Sequence, residues 1–296
     1  VAPSFETRGV LVIGAGGMLG RAMLRELGAR EIPFAAGDAA PDAPGGIARF
    51  DLLDAADLEK IASGRWGTVI NCAAWTDVDA AERDEAGATR LNGEAVGALN
   101  RACARGGATL VHFSTDYVFD GRGETPYPVD HPIAPINAYG RSKALGESLI
   151  ASREGGWLVV RTSWLYAPWG KNFVRTMRDL LHARAVVRVV NDQRGRPTSA
   201  EQLAGTTLDL LAAGCEGIFH ACDGGECTWF EFAREIATLT GAPARVEPCA
   251  TAEFPRPAAR PAYSVLDLGR TIERAGAPRH WREELARVVT ALGAGS

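Results

Sequence analysis

Lysine is nearly missing from this sequence of 296 residues: Lys60, Lys143 and Lys171 stand alone against 29 arginines. The formal net charge is −4 and the arginines form no basic run, so neither nucleic acid nor an anionic membrane surface is an expected partner. No apolar run reaches the length of a bilayer and the N-terminal stretch has no signal-peptide pattern, which points to a cytoplasmic protein. Cysteine is sparse too. Cys72, Cys103, Cys215, Cys222, Cys227 and Cys249 show neither C-x-x-C pairing nor the spacing of a disulfide framework, and the five histidines are scattered. Reduced thiols and no metal centre are expected. What is present is ordinary for a globular chain: 46% hydrophobic residues, 23% charged residues and 34 glycines. The length suits one α/β domain, or a larger domain with a smaller companion.

The first pattern is a β-branched run, residues 9–13 (GVLVI), that stops at Gly14 as a buried parallel strand would. Gly14-Ala15-Gly16-Gly17-Met18-Leu19-Gly20 follows, then a helical pattern through Leu24 and Leu27. Strand, glycine turn and helix are the parts of a dinucleotide-binding crossover. Glycine lets the backbone turn tightly and approach a pyrophosphate, and the helix N-terminus attracts the negative charge. A second strand, residues 32–37, ends at Asp38, where an acid can hold ribose hydroxyls and repel a 2′-phosphate; Asp38 can also simply start a turn, because residues 38–46 are rich in Asp, Pro and Gly. The choice between NADH and NADPH stays open.

Asp51-Leu52 opens a helix near 55–63, residues 68–71 form a third strand, and Cys72-Ala73-Ala74 follows with side chains small enough for a flat ring to lie beside the sheet. Residues 77–104 read as largely helical. A fourth strand, residues 109–113, runs into Ser114-Thr115-Asp116, hydroxyls suited to a substrate carbonyl. A proline-interrupted loop occupies 120–137, and residues 157–162 make a fifth strand. Strands alternating with helices at this spacing predict a doubly wound, Rossmann-type parallel sheet.

Tyr139 and Lys143 are four residues apart on a predicted helix, and so share one face. An ammonium beside a phenol favours the phenolate, lowering a pKa that starts near ~10, so the pair is a candidate for proton transfer to a reacting oxygen. The plain alternative is a surface tyrosine and an unrelated solvated lysine.

With these parts in order, the chain resembles the extended short-chain dehydrogenase/reductase superfamily, through G-x-x-G-x-x-G (Gly14, Gly17, Gly20), a strand-end Ser/Thr and Y-x-x-x-K. The finer resemblance is to the dTDP-4-dehydrorhamnose reductases. It rests on NCAAWTDVDAAE (71–82), HFSTDYVFDG (112–121), NAYGRSKALGE (137–147), RTSWLYAPWGKNF (161–173), NDQRGRPTSAEQLA (191–204) and TWFEFAREI (228–236). The resemblance implies that NADPH or NADH reduces the 4-keto group of a dTDP-linked sugar. By it, Gly17, Met18 and Leu19 would touch the pyrophosphate, and Asp38, Asp51 and Leu52 would flank the ribose and adenine. Ala74, Trp75 and Thr76 would lie along the nicotinamide. Tyr139 and Lys143 would bind its ribose as well as move the proton, Thr115 would position the reacting oxygen, Thr115 and Asp116 would meet the sugar, and Trp164 would pack on it. Arg260 and Ser264 match a segment near the nucleotide end of the substrate.

Two departures stand out. Some bacterial members bridge a dimer through a metal, using a glutamate where this chain has Ala22, so a homodimer stays open but a magnesium-dependent one does not carry over. Trp75 replaces a residue that is often smaller or more polar. Rival readings are a 4-ketoreductase of another nucleotide-linked deoxysugar, a 4-epimerase, a dehydratase, or a non-catalytic dinucleotide-binding subunit. Dehydratases carry a second acid where this chain has Tyr117, which disfavours elimination. In the C-terminal third, residues 186–190 read as a further strand that returns to the sheet, residues 199–211 as its helix, 228–240 and 280–293 as helices, and 243–261 as Pro-rich chain. The expected domains are 1–162, rejoined at about 186–221, and a smaller substrate lobe of 222–296 with about 163–185.

Overall fold

The computed structural model describes residues 8–40, 46–152 and 155–294. The middle of the predicted Asp/Pro/Gly-rich turn (41–45) lies outside the described residues.

The apolar runs that read as strands are strands. A seven-stranded sheet takes β1 (Val10–Ile13), β2 (Phe34–Asp38), β3 (Ala48–Arg49), β4 (Thr68–Asn71), β5 (Thr109–Thr115), β6 (Trp157–Thr162) and, later in the chain, β11 (Gly217–His220). Its order is β11-β6-β5-β4-β1-β2-β3, and every pairing is parallel. The central strands β1 and β4 are buried along their whole length, as expected where helices cover both faces. On one face, α1 (Met18–Ala29) packs Met23 and Leu27 with Leu203 and Leu208 from the later helix 200–212. On the other face, α2 (Ala55–Ala62), α5 (Ala95–Gly106) and α6 (Ala138–Ala151) contribute Ile61, Val96, Leu99 and Ile150. The stretch read as one long helical region holds α3 (Val78–Arg83), α4 (Glu85–Thr89), a π-helical turn at Arg90–Glu94, and α5.

Beyond β6 the pieces become short. β7 (Leu165–Tyr166) leads to α7 (Phe173–Ala183) and β8 (Val186–Val190), then to β9 (Arg194–Gly195), β10 (Thr198–Ser199) and α8 (Ala200–Ala212). After β11 come β12 (Cys227–Thr228), α9 (Trp229–Thr240), β13 (Arg245–Cys249), α10 (Gly269–Ala275) and α11 (Trp281–Ala294). Pairs β7/β10, β9/β12 and β8/β13 form three separate two-stranded sheets.

Here the expectation needs correction. Val186–Val190 does not rejoin the main sheet; it pairs in parallel with β13, inside the stretch read as Pro-rich chain. Its burial alternates, with Val187 and Val189 inside and Val186 and Arg188 outside, because one face is solvated. The arginine at its centre marks it as a one-faced strand. The strand that does return to the main sheet is β11, whose Gly217-Ile218-Phe219-His220 holds only two apolar side chains in a row and so makes no apolar run. Val187, Val189, Phe232, Ile236, Trp281 and Leu285 belong to a second apolar core. Among the described residues no helix is long and apolar enough to cross a membrane.

Candidate active site

The glycine turn is shaped by close contact. Gly14 has φ 73°, and a Cβ on it would stand 2.5 Å from the backbone nitrogen of Ala73. A Cβ on Gly20 would meet the Gly14 carbonyl oxygen at 2.2 Å, so this glycine lets α1 press against the turn. Gly17 caps α1 with no side-chain hydrogen bond, and the first turn holds no acid. The N–H groups there are open to an anion. Asp38 starts a turn, its Oδ1 accepting from the Ala40 N–H at 3.0 Å; Oδ2 accepts from the Gly16 N–H at 2.9 Å, and the residue lines a cavity.

That cavity has a volume of about 580 Å³ and is bordered by Gly14, Asp38, Asp51 and Leu52. A second cavity, of about 710 Å³, is bordered by Met18, Leu19, Thr76, Thr115, Asp116, Tyr139, Lys143 and Trp164. The two share Gly16, Gly17, Cys72 and Ala74, and so make one groove along the carboxyl edge of the sheet. Of the residues expected at the cofactor, two stand outside its walls. Gly20 lies beneath the turn, and Trp75 packs with Ala81, Ala88 and Ala138 while its indole N–H donates to the Asp77 carbonyl at 3.1 Å.

At the wider end of the groove, Asn137 caps α6 by accepting from the Gly140 N–H, which sets Tyr139 in the first turn and Lys143 one turn on. The Tyr117 ring meets Tyr139 edge-on at 5.9 Å. The expected lowering of the Tyr139 phenol is not found in the chain by itself. Burial pushes it up to about 12, the Thr115 hydroxyl opposes this, and the Asp116 charge adds to it. Lys143 is not among the groups that shift it; its Nζ lies 3.1 Å from Nε2 of His112. Burial brings Lys143 down to about 8, with Glu147 opposing. The Asp116 carboxyl is pushed up to about 7 by burial, against hydrogen bonds from Ser264 and Thr115. The Thr115 hydroxyl donates to Asp116 Oδ1 at 3.0 Å and accepts from the Tyr117 N–H at 3.2 Å.

The depth of α6 is set by groups that the sequence reading passed over. Asn92, in the π-helical turn, accepts from the Trp75 N–H at 2.8 Å and donates to the Trp75 carbonyl and to Ser142 Oγ, each at 3.0 Å. A Cβ on Gly146 would stand 2.4 Å from the Asn92 carbonyl oxygen, so α6 packs against backbone. Glu147 on the same helix takes two hydrogen bonds from Arg161 of β6, at 2.9 and 2.7 Å, with both side chains buried. A π turn at a site is a recurrent device, but no residue pattern in 90–94 announces it.

The opposite wall comes from the C-terminal elements. Trp164 has φ 47° and stacks on Trp229 with centroids 3.6 Å apart; its other neighbour is Gly195, where a Cβ would come within 2.7 Å of the indole. Both tryptophans line the groove, as do Trp169 and Lys171. The Trp169 indole donates to the Met18 carbonyl at 3.0 Å, joining this wall to the start of α1. Trp169 and Lys171 sit in the PWGKNF block, which was the available signal. Arg260 does not line the groove. It donates to Asp79 at 2.6 Å, beside Arg256, and hydrogen-bonds Tyr117. Burial alone would raise Asp79, but the hydrogen bonds from Arg260, Ala258 and Arg256 bring it down to about 2.

The family model described as RmlD substrate binding domain matches residues 8–293. The chain belongs to that family. It is 40% identical to a dTDP-4-dehydrorhamnose reductase of Burkholderia thailandensis over 90% of this chain and 93% of the relative. It is 44% identical to a probable dTDP-4,6-dihydroxy-2-methyloxan-3-one 4-ketoreductase of Streptomyces antibioticus, over 93% of this chain and 92% of the relative. A crystal structure of dTDP-4-dehydrorhamnose reductase from Bacillus anthracis, in complex with NADP, superposes with a TM-score of 0.88 at 34% identity, covering 95% of this chain and 98% of that one. Within this RmlD-type chain, Ala22 is buried in α1 and carries no donor. Among the described residues no group of three or more His, Cys, Asp or Glu side chains is placed to hold a metal.

Proposed function

We propose that this chain is an NAD(P)H-dependent oxidoreductase that reduces the 4-keto group of dTDP-4-dehydro-6-deoxy-L-mannose (dTDP-4-dehydrorhamnose), giving dTDP-L-rhamnose. One observation carries it: Tyr139, Lys143 and Thr115, drawn from two elements, line the same groove as the glycine turn. The turn fits a dinucleotide, since its backbone is close-packed at Gly14 and Gly20 and the N-terminus of α1 is uncapped. Gly17, Met18 and Leu19 would hold the pyrophosphate, Asp38, Asp51 and Leu52 the adenosine end, and Ala74, Thr76, Tyr139 and Lys143 the nicotinamide end. When bound, the reduced nicotinamide supplies the hydride.

Tyr139 gives its proton to the oxygen that develops at C4 of the sugar. Its high proton affinity in the chain alone makes it the protonated partner at neutral pH. Thr115 orients that oxygen, and Lys143 in its charged form steadies the phenolate left behind. Asp116 lies beside them to meet the sugar hydroxyls, and the stacked Trp164 and Trp229 present an aromatic wall to its ring. Residues 163–190 and 222–296 are, in this reading, the substrate lobe that closes the groove. A cytoplasmic setting goes with the proposal, and a second copy of the chain, if it pairs, does so without ligation from Ala22.

NADPH is supported by the NADP-bound relative, while the carboxylate of Asp38 favours NADH. A second reading, a 4-ketoreductase of another dTDP-linked deoxysugar, is supported by the Streptomyces antibioticus relative. The test is a spectrophotometric assay with NADH and NADPH in parallel, on both classes of 4-keto sugar, with NMR of the product's C4 configuration. Oxidation with dTDP-4-dehydrorhamnose and a rhamno-configured product is expected. Turnover of a different sugar alone selects the second reading, and oxidation with none points to a non-catalytic subunit.

A further inference from the structure

Behind Lys143 lies a buried chain of polar groups for which hydride transfer has no use. Asn71 and His112 are register partners on β4 and β5, and Asn71, His112 and Lys143 are each at most 2% exposed. The Ala73 N–H donates to Asn71 Oδ1 at 3.1 Å, which decides the orientation of the amide. Nδ2 therefore faces His112 Nδ1, at 3.1 Å, and donates to it. A neutral imidazole carries one N–H, so the proton of His112 sits on Nε2. His112 is neutral because burial, then the charge of Lys143, holds it well below the usual histidine range.

That Nε2–H points at Lys143 Nζ across 3.1 Å. An ammonium has three donors and no acceptor, so the contact suits only the lone pair of a free amine. We propose that Asn71 and His112 are positioning residues that weaken the hold of Lys143 on its proton in the cofactor-free chain, and that any free amine takes up a proton from solvent when an acceptor reaches Nζ through the groove. Nζ gains one proton, His112 keeps its own, and no other bond changes. The inference rests on the reductase reading for its use: the ribose hydroxyls of the bound dinucleotide complete and hold the positive charge that steadies the Tyr139 phenolate.

The other charged groups around α6 are already engaged. Glu147 is paired with Arg161, Glu82 accepts from the Ala138 N–H, and Glu85 is paired with Arg141. Arg90 and Glu94 of the π turn are exposed. Asp116 and Tyr139 face the groove, and burial keeps the Cys72 thiol protonated.

Three lysines make the test direct. The cofactor-free protein, labelled with [13Cε]lysine, is titrated by NMR, with resonances assigned through Lys60→Arg and Lys171→Arg. Lys143 is expected to titrate near 8, well below the ~10.4 of an ordinary lysine. Asn71→Asp replaces the donor facing Nδ1 with an acceptor, moves the His112 proton to Nδ1 and frees the Nε2 lone pair for an ammonium. The Lys143 midpoint should then rise by at least about one pH unit. A 15N spectrum of the unaltered protein should show His112 protonated on Nε2 and bare on Nδ1, which needs no variant to fold. An ordinary Lys143 midpoint, an Nδ1-protonated His112, or no response to Asn71→Asp overturns the proposal. All three readouts are taken without turnover, so an inactive protein that titrates as expected would sink the reductase reading alone.

Discussion

The two walls of the groove are built by different rules. The wall on the sheet side is made at the ends of the parallel strands of the main sheet, where Gly14, Asp38, Thr115 and the start of α6 are placed by the backbone. The facing wall hangs on short β-pairs and on side-chain contacts, Trp164 stacked on Trp229 and the Trp169 indole donating to the Met18 carbonyl. A backbone-built wall suits the parts of a reaction that tolerate no displacement, and a side-chain wall can be recut for another sugar. The contrast gives physical sense to relatives at about 40% identity whose names carry different deoxysugars.

The largest effect should come from the sheet-side wall. Tyr139→Phe removes the proton donor but leaves the ring, so turnover should fall by ~10²–10⁴-fold while the dinucleotide still binds. Turnover within about threefold of the unaltered protein, measured under saturating substrate, would reject Tyr139 as the acid.

The seam between the walls comes next. Asp79 in α3 holds Arg256, Arg260 and the Ala258 N–H. Its folded pKa, about 2, lies below an ordinary aspartate, so its stabilisation is complete above about pH 5 and disappears as pH falls through 2. Asp79→Asn should cost roughly 2 kcal/mol at pH 7. In urea unfolding the gap between the two proteins should close between about pH 5 and pH 2. A gap that stays constant over that range would mean that the carboxylate charge is not what matters.

The smallest effect is expected from the facing wall. Trp229→Leu unstacks Trp164, which should raise KM for the nucleotide sugar by roughly tenfold, about the worth of one aromatic pair. The dinucleotide Kd, read by fluorescence, should stay put. If both constants moved together, the two walls would not be separable in function.

The legibility of the chain follows the same division. β1, β4, β5 and β6 are apolar runs with glycine or proline punctuation, and the groove residues lie at their ends, so the doubly wound sheet and the places of Gly14, Asp38, Thr115 and Tyr139 could be read directly. Val186–Val190 reads as a strand without revealing its sheet, because a β-branched run shows strand character but not its partner. Gly217–His220 holds only two apolar side chains in a row, so no apolar run marks it. The tie between Asn92 and Ser142, and the line from Asn71 through His112 to Lys143, depend on residues 31 to 50 positions apart meeting inside the core. No local pattern carries that information. Trp75 shows the limit of transferring a role by position: its motif is in place, but its ring turns toward α3 and α6.

Gly146 carries a lesson for anyone choosing positions to vary. It lies outside the groove walls, yet a methyl group there would press against the Asn92 carbonyl and lift α6, with its tyrosine and lysine, away from the sheet. A library drawn by distance from the groove would leave it untouched. The groove's tolerance to change is governed from behind the helix, at a contact where a hydrogen atom is the largest side chain that fits.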